Sequence, residues 1–120
     1  MPYGMIKNKK GNFVKPTIAS TSLAANTALS DDMKVDLTDT DAAEGYPISG
    51  FTWILVYREQ NYANKTEEKA KALVNLLWWM THEGQQYAEP LHYAPLSKAA
   101  VGKAEKMIKN ISYKDMVIVK

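Results

Sequence analysis

Hydrophobic and polar positions along the chain change period several times, and each change marks an element. Tyr3, Met5 and Ile6 lead into the polar Asn8-Lys9-Lys10-Gly11-Asn12, and Phe13-Val14 follow before Pro16. Two short apolar runs about such a turn predict a hairpin, because Gly and Asn tolerate the left-handed backbone of tight loops. Thr17 then stands where an N-cap belongs, ahead of a short helix through "IASTSLAANTAL" with Ile18, Leu23, Ala24 and Leu29 as its apolar positions. Residues 30–46, "SDDMKVDLTDTDAAEGY", hold six of the thirteen acidic residues and little apolar beyond Met33, Val35 and Leu37. That pattern predicts a solvated connection with at most one edge strand.

The stretch "GYPISGFTWILVY" (45–57) then sets structure breakers, Pro47 and Gly50, directly before the strongest β-forming run. Phe51, Trp53 and Leu55 fall on one face of that run, and Thr52, Ile54 and Val56 on the other. With both faces mainly apolar, the expectation is a strand buried within an α/β sheet. In "NYANKTEEKAKALVNLLWWMTHEGQQYAEPL" the period changes to helical. Asn64 or Thr66 caps it, Glu67 and Glu68 suit its positive end, and Ala70, Leu73, Leu76, Leu77, Met80 and Gly84 share a side. A second helix is expected from about Lys98 to Asn110, with Val101, Ala104, Met107 and Ile108 inward, and "YKDMVIVK" closes as a strand. The fold class is therefore α/β, in one continuous chain without repeats or a low-complexity linker.

Composition narrows the function more than the fold. At 120 residues, 46% apolar and 23% charged, the chain has the make-up of a single folded domain. Fifteen basic against thirteen acidic residues leave +2, too little for a general polyanion partner, so nucleic acid is not expected. Arg58 is the sole arginine, and bidentate phosphate recognition has only that guanidinium to draw on. The absence of cysteine removes thiolate metal sites, disulfides and a Cys nucleophile. No apolar run approaches the length of a membrane span, and the first residues lack the apolar core of an export signal.

The candidate constellations are weak. His82-Glu83-Gly84-Gln85-Gln86 falls short of a zinc-protease motif because Gln86 replaces the second imidazole, so no metal is expected, and His82 is taken as a solvated helix residue. Asp36, Asp39, Asp41 and Glu44 lack the alternate spacing and central glycine of a calcium loop. With two histidines, no nucleophile elbow and no Gly-rich nucleotide loop, neither an enzyme nor a cofactor is indicated.

Three blocks carry a family likeness. "YPISGFTWILVYRE", then "LVNLLWWMTHEGQQYAEPLHYAPLSKAAVGKAEKMI", and at the start "PYGMIKNKKGNFVKPT" together resemble the C-terminal region of the periplasmic phosphate-binding proteins that serve phosphate ABC transporters. The specific features are Tyr46-Pro47-Ile48 before the apolar strand, Trp79 five residues ahead of Gly84, and Tyr93-Ala94-Pro95-Leu96 before the last helix. The resemblance covers nearly the whole chain. It implies part of a type II periplasmic-binding-protein fold, with residues 1–46 a remnant of the second lobe and 47–120 the returning part of the first. It also implies inorganic phosphate as ligand, an ABC permease as partner, and a periplasmic or membrane-anchored extracellular location for an intact receptor whose export signal this chain lacks. A receptor for another oxyanion, or a ligandless interaction fragment that self-associates through apolar surface, are the alternatives.

In that family the anion is held by an Asp, by helix N-termini and by an Arg ahead of a Ser-Gly-Thr loop. None of these has a counterpart here: Ser49-Gly50-Phe51-Thr52 is interrupted by Phe51, and Arg58 lies beyond the run. No phosphate ligand is therefore expected in this segment. Ser49 and Thr52 remain as hydroxyls for a cleft or hinge, and Pro47 with Gly50, one fixing the backbone and the other freeing it, are expected to form the hinge.

Overall fold

Asn8 organises the beginning of the chain. In the computed structural model, which describes residues 3–118, strand β1 (Ile6–Lys7) pairs antiparallel with β2 (Phe13–Val14), Ile6 facing Val14. Gly11 takes φ 89° in the connecting loop, a conformation that costs a side chain but not glycine. The buried Asn8 accepts the Lys10 and Asn12 N–H groups on its side-chain oxygen and donates its amide to the Ala43 carbonyl at 2.8 Å. One polar side chain thus closes the loop and ties it to the acidic connection.

Helix α1 (Ile18–Ala24) opens with a reciprocal cap. Thr17 Oγ1 accepts the Ser20 N–H at 3.1 Å, and Ser20 Oγ accepts the Thr17 N–H at 3.0 Å. The helix ends at Ala24, short of the expected Leu29. The acidic connection carries no strand. Its Leu37 is buried, while Met33 and Asp39 take positive φ, which breaks any regular ladder.

The expected buried strand is the main correction. Residues 51–57 carry no regular secondary structure, and among the described residues no backbone hydrogen bond reaches 51–56. Leu55 is 94% exposed, and Trp53, Ile54 and Tyr57 are each more than half exposed. The residue types are those of a buried strand. A strand, however, finds its backbone partners in other strands, and none of the described ones lies alongside.

Regular structure resumes at Glu59. Arg58 and Gln60 bracket Ser112 in a parallel bridge, the Ser112 N–H donating to the Arg58 carbonyl and the Gln60 N–H to the Ser112 carbonyl, both at 2.8 Å. The bridge leads to helix α2 (Glu67–Thr81), capped by Thr66, two 3-10 turns (Glu83–Tyr87 and Glu89–Leu91), helix α3 (Lys98–Ile108), capped by Ser97, and a hairpin of β3 (Ser112–Tyr113) with β4 (Met116–Val117). The core joins Ala70, Val74 and Leu77 of α2 to Ile108, Ile111 and Ile118, with Leu73, Trp78 and Tyr113 packed on its flank. The buried stripe of α2 is thus rotated from the expected one. Leu76 is 52% exposed, since α3 and the hairpin sit on the 70/74/77 side.

Gly84 has a steric reason. A Cβ there would lie 2.9 Å from the Trp79 carbonyl oxygen and 3.1 Å from its ring, so the five-residue spacing of Trp79 and Gly84 marks a close approach. The closing hairpin is a second departure, since the single last strand expected there folds back on itself. Lys114 and Asp115 both have positive φ, the geometry of a two-residue hairpin turn without its usual Asn-Gly. Met1, Pro2, Val119 and Lys120, which belong to the expected first unit and last strand, lie outside the described residues.

Glu59 compensates that turn. Its carboxylate accepts N–H groups from Asn61 (2.8 Å), Lys114 (2.9 Å) and Asp115 (3.1 Å) and the Ser112 hydroxyl (2.9 Å). These donors, the Asn61 N–H first, draw its pKa down from 4.5 to about 2. A depressed carboxyl pKa contributes stability above the unfolded value and loses it as pH falls through the folded one. Acid titration of unfolding should therefore show stability draining between pH 4.5 and about 2, and Glu59→Gln should flatten that window. In the core, Ile108→Ala should cost about 2–5 kcal/mol in denaturant unfolding, whereas Phe13→Ala, at an exposed site, should stay within about 0.5 kcal/mol.

Candidate functional site

The segment that carries the sequence candidates, 46–52, is held firmly at its start and released at its end. The Tyr46 N–H donates to the Ser20 carbonyl at 3.0 Å, and the Asp39 N–H donates to the Pro47 carbonyl at 2.9 Å. Pro47 is buried. Two residues on, Ser49 is half-buried, and its hydroxyl donates to the Tyr46 carbonyl at 2.8 Å, a local bond typical of turn serines. Gly50 is exposed, and a Cβ there would meet nothing within 4 Å. Thr52 is exposed as well.

The four candidates therefore share one short segment without converging on a common point. Pro47 ends the packed part of the chain and Gly50 begins the unpacked part. Anion capture needs several donors aimed at one volume. Here the Ser49 hydroxyl donates to the main chain, and Arg58 donates its Nε–H to the Asn110 carbonyl at 3.2 Å, on the far side of the run.

The surroundings do not supply the deficit. An open depression of about 450 Å³ is lined by Leu23, Thr40, Asp41 and Glu44 among others, and its carboxylates repel an anion. Lys9 and Lys10 hold Asp41 at 3.2 and 3.4 Å, and their hydrogen bonds keep its carboxyl below the usual range. Among the described residues, no three His, Asp or Glu groups are gathered as a metal site would require. His82 is not the solvated residue expected. It caps the end of α2, stacks on Trp78 at 4.2 Å between ring centroids, and reaches Glu105 of α3 at 3.3 Å through Nε2. That bond, followed by the Lys109 ammonium, lowers the Glu105 pKa. The cluster fastens α2 to α3 and leaves no open coordination site. His92 is exposed with φ 62° in the loop after the second 3-10 turn.

Two polar anchors escaped the sequence reading, Glu59 and Gln60. Gln60 is fully buried; its amide donates to the Tyr57 carbonyl and its oxygen accepts from Lys65 Nζ at 2.7 Å. Neither residue belongs to a motif of its own. The only sequence signal was their place directly after an apolar run, where a long polar side chain can turn back onto the backbone. Among the described residues, no helix is long and apolar enough to cross a membrane.

No family model matches the chain. Individual curated proteins do. A phosphate-binding protein PstS of Methanocaldococcus jannaschii is 33% identical over 105 residues, covering 79% of this chain and 26% of that protein. Those of Xylella fastidiosa (strain 9a5c) and Pasteurella multocida are each 28% identical over 108 residues, covering 88% of this chain and 29% and 30% of theirs. The mixture of helices and short strands is compatible with the α/β fold that this kinship implies. The chain is thus PstS-like in sequence, spanning 26 to 30% of the length of these relatives.

Proposed function

We propose that the chain is a segment of an extracytoplasmic solute-binding protein that captures inorganic phosphate and presents it to the permease of an ABC transporter. The observation that carries this is the 33% identity, sustained over 105 residues, to a phosphate-binding protein. The intact receptor acts by binding and lobe movement, with no catalytic step. The intact receptor works in the periplasm or anchored outside the cell membrane.

Within this reading the chain is the C-terminal part of a type II periplasmic-binding-protein fold. Residues 1–46 are a remnant of the second lobe, and 47–120 are the returning part of the first. Two features support that division. The buried residues near the start (Asn8, Val14, Ser20, Ala24, Leu37) are different from those of the α2/α3 core, and the unpaired run 51–57 joins the two sets. Pro47 and Gly50 are the hinge, where packed chain gives way to free chain. Ser49 and Thr52 border the cleft without holding the anion, which is bound by residues outside this segment. The isolated chain is therefore unable to bind phosphate, and its uncovered apolar surface favours self-association.

Calorimetric titration of the folded chain, its helices verified by circular dichroism, tests the reading. Phosphate should give no specific heat. Saturable binding at micromolar strength or tighter would overturn the proposal that the ligand's contacts lie elsewhere. Specific heat with sulfate but not phosphate would instead make the chain part of a receptor for another oxyanion.

A further inference from the structure

Two stretches carry the pattern Asn-x-Ser/Thr without a central proline, Asn64-Lys65-Thr66 and Asn110-Ile111-Ser112. The pattern is the acceptor signal for N-linked glycosylation, and it serves only where a transferase can reach both the amide and the hydroxyl two residues on. The fold treats the two copies differently.

Asn64 stands in the turn ahead of α2. It is exposed at φ 56°, a left-handed position that asparagine tolerates, and its side-chain amide has no partner among the described residues. Thr66 is exposed and caps α2, its Oγ1 accepting the Lys69 N–H at 3.4 Å. Capping uses a lone pair of that oxygen and leaves its hydrogen to be donated elsewhere. At the second copy Asn110 is also exposed, but Ile111 is buried and the Ser112 hydroxyl donates to Glu59 at 2.9 Å. The Ser112 main chain is held as well, by Arg58 and Gln60. That copy is locked into the support of the closing hairpin.

The exposure of Asn64 does not come from the shortness of the chain. Lys65, Glu67, Glu68, Lys69 and Lys71 surround it in sequence, and Glu67 pairs with Lys71 at 2.7 Å on the helix surface. Ionised side chains are almost never fully buried, so this end of α2 meets water in a longer receptor too. The open apolar positions of α2 where further chain would pack, Leu76 and Trp79, lie well along the helix.

We propose that Asn64 is an N-glycosylation site and that Asn110 is not. The co-substrate is an oligosaccharide carried on a lipid pyrophosphate. Asn64 Nδ2 attacks C1 of the first sugar. The C–N bond forms as the bond from C1 to the pyrophosphate oxygen breaks, that oxygen leaves with the electron pair, and the amide gives one proton to a base of the transferase. The site rests on the extracytoplasmic position proposed above, because the lipid-linked donor is used on the outer side of the membrane.

The folded chain, incubated with a purified oligosaccharyltransferase and its lipid-linked donor, should gain one glycan on the peptide that holds Asn64, as read by mass spectrometry. Asn64→Asp should abolish the gain and leave the helical circular dichroism unchanged, since Asp also tolerates a left-handed backbone. Asn110→Asp should leave the gain intact, and only the denatured chain, with Ser112 released from Glu59, should be modified at both positions. An unmodified Asn64, or equal modification of Asn110 in the folded chain, would overturn the proposal. Mass analysis of the protein from the cells that make it separates the site from its premise. Recovery outside the cytoplasmic membrane with Asn64 bare overturns the site alone, whereas recovery in the cytoplasm overturns the location and the site with it.

Discussion

A β-strand cannot satisfy its own backbone, and that constraint governs this molecule. A helix closes its hydrogen bonds within itself, so α2 and α3 form wherever their caps and one apolar face allow. The run from Phe51 to Tyr57 has the composition of an interior strand and none of the company. It carries no ladder, and residues 52–57 lie exposed, until Arg58 and Gln60 reach Ser112. The bridge there joins the run to the α2/α3 core. Glu59 fixes it by taking three main-chain N–H groups and a hydroxyl on one carboxylate, including those of a turn that has no glycine. Main-chain donors to an anion are worth more than ordinary neutral hydrogen bonds, so two unfavourable left-handed residues are held without Asn-Gly.

The elongated form, 52 × 28 × 23 Å, follows from the same constraint. Two small sets of buried residues, one around Asn8 and Ser20 and the other between α2, α3 and the closing hairpin, lie on either side of the run. Few ties cross between them. Trp53 donates its indole N–H to the Met33 carbonyl, and Lys103 of α3 pairs with Asp31 of the acidic connection. The Asp31 carboxyl is exposed, and exposed pairs add little, so this contact sets a preferred arrangement more than it secures one.

What could be read from the sequence was what depends on neighbours in the chain. The Thr17, Thr66 and Ser97 caps, the Gly11 turn and the helix of 67–81 are local bargains between adjacent residues, and the pattern disclosed most of them. The five-residue link between Trp79 and Gly84 was visible as spacing, although its cause, a carbonyl that would stand 2.9 Å from a Cβ, exists only in the folded chain. Everything dependent on distant chain was harder. The α2 stripe was misaligned by about a residue because periodicity does not say on which side α3 will pack. The last hairpin was missed because Lys114-Asp115 carries no turn signal, its support coming from Glu59, 55 and 56 residues earlier. Pro47, Ser49, Gly50 and Thr52 share a segment because they are neighbours in sequence, and a common segment is not a common focus.

That distinction bears on how an anion-binding protein divides its labour. Holding a dianion away from water demands donors converging from more than one wall, because each N–H or hydroxyl offers a single direction and an unscreened charge must be met from several. The segment 46–52 offers one wall with its serine already bonded inward, and the lone guanidinium is engaged at Asn110. The chain is packed at Pro47 and unpacked at Gly50. That is the division which the proposed hinge requires. The apolar run beside it matters for a geometric reason: whatever strand pairs with Phe51–Tyr57 fixes the direction in which the chain leaves Gly50.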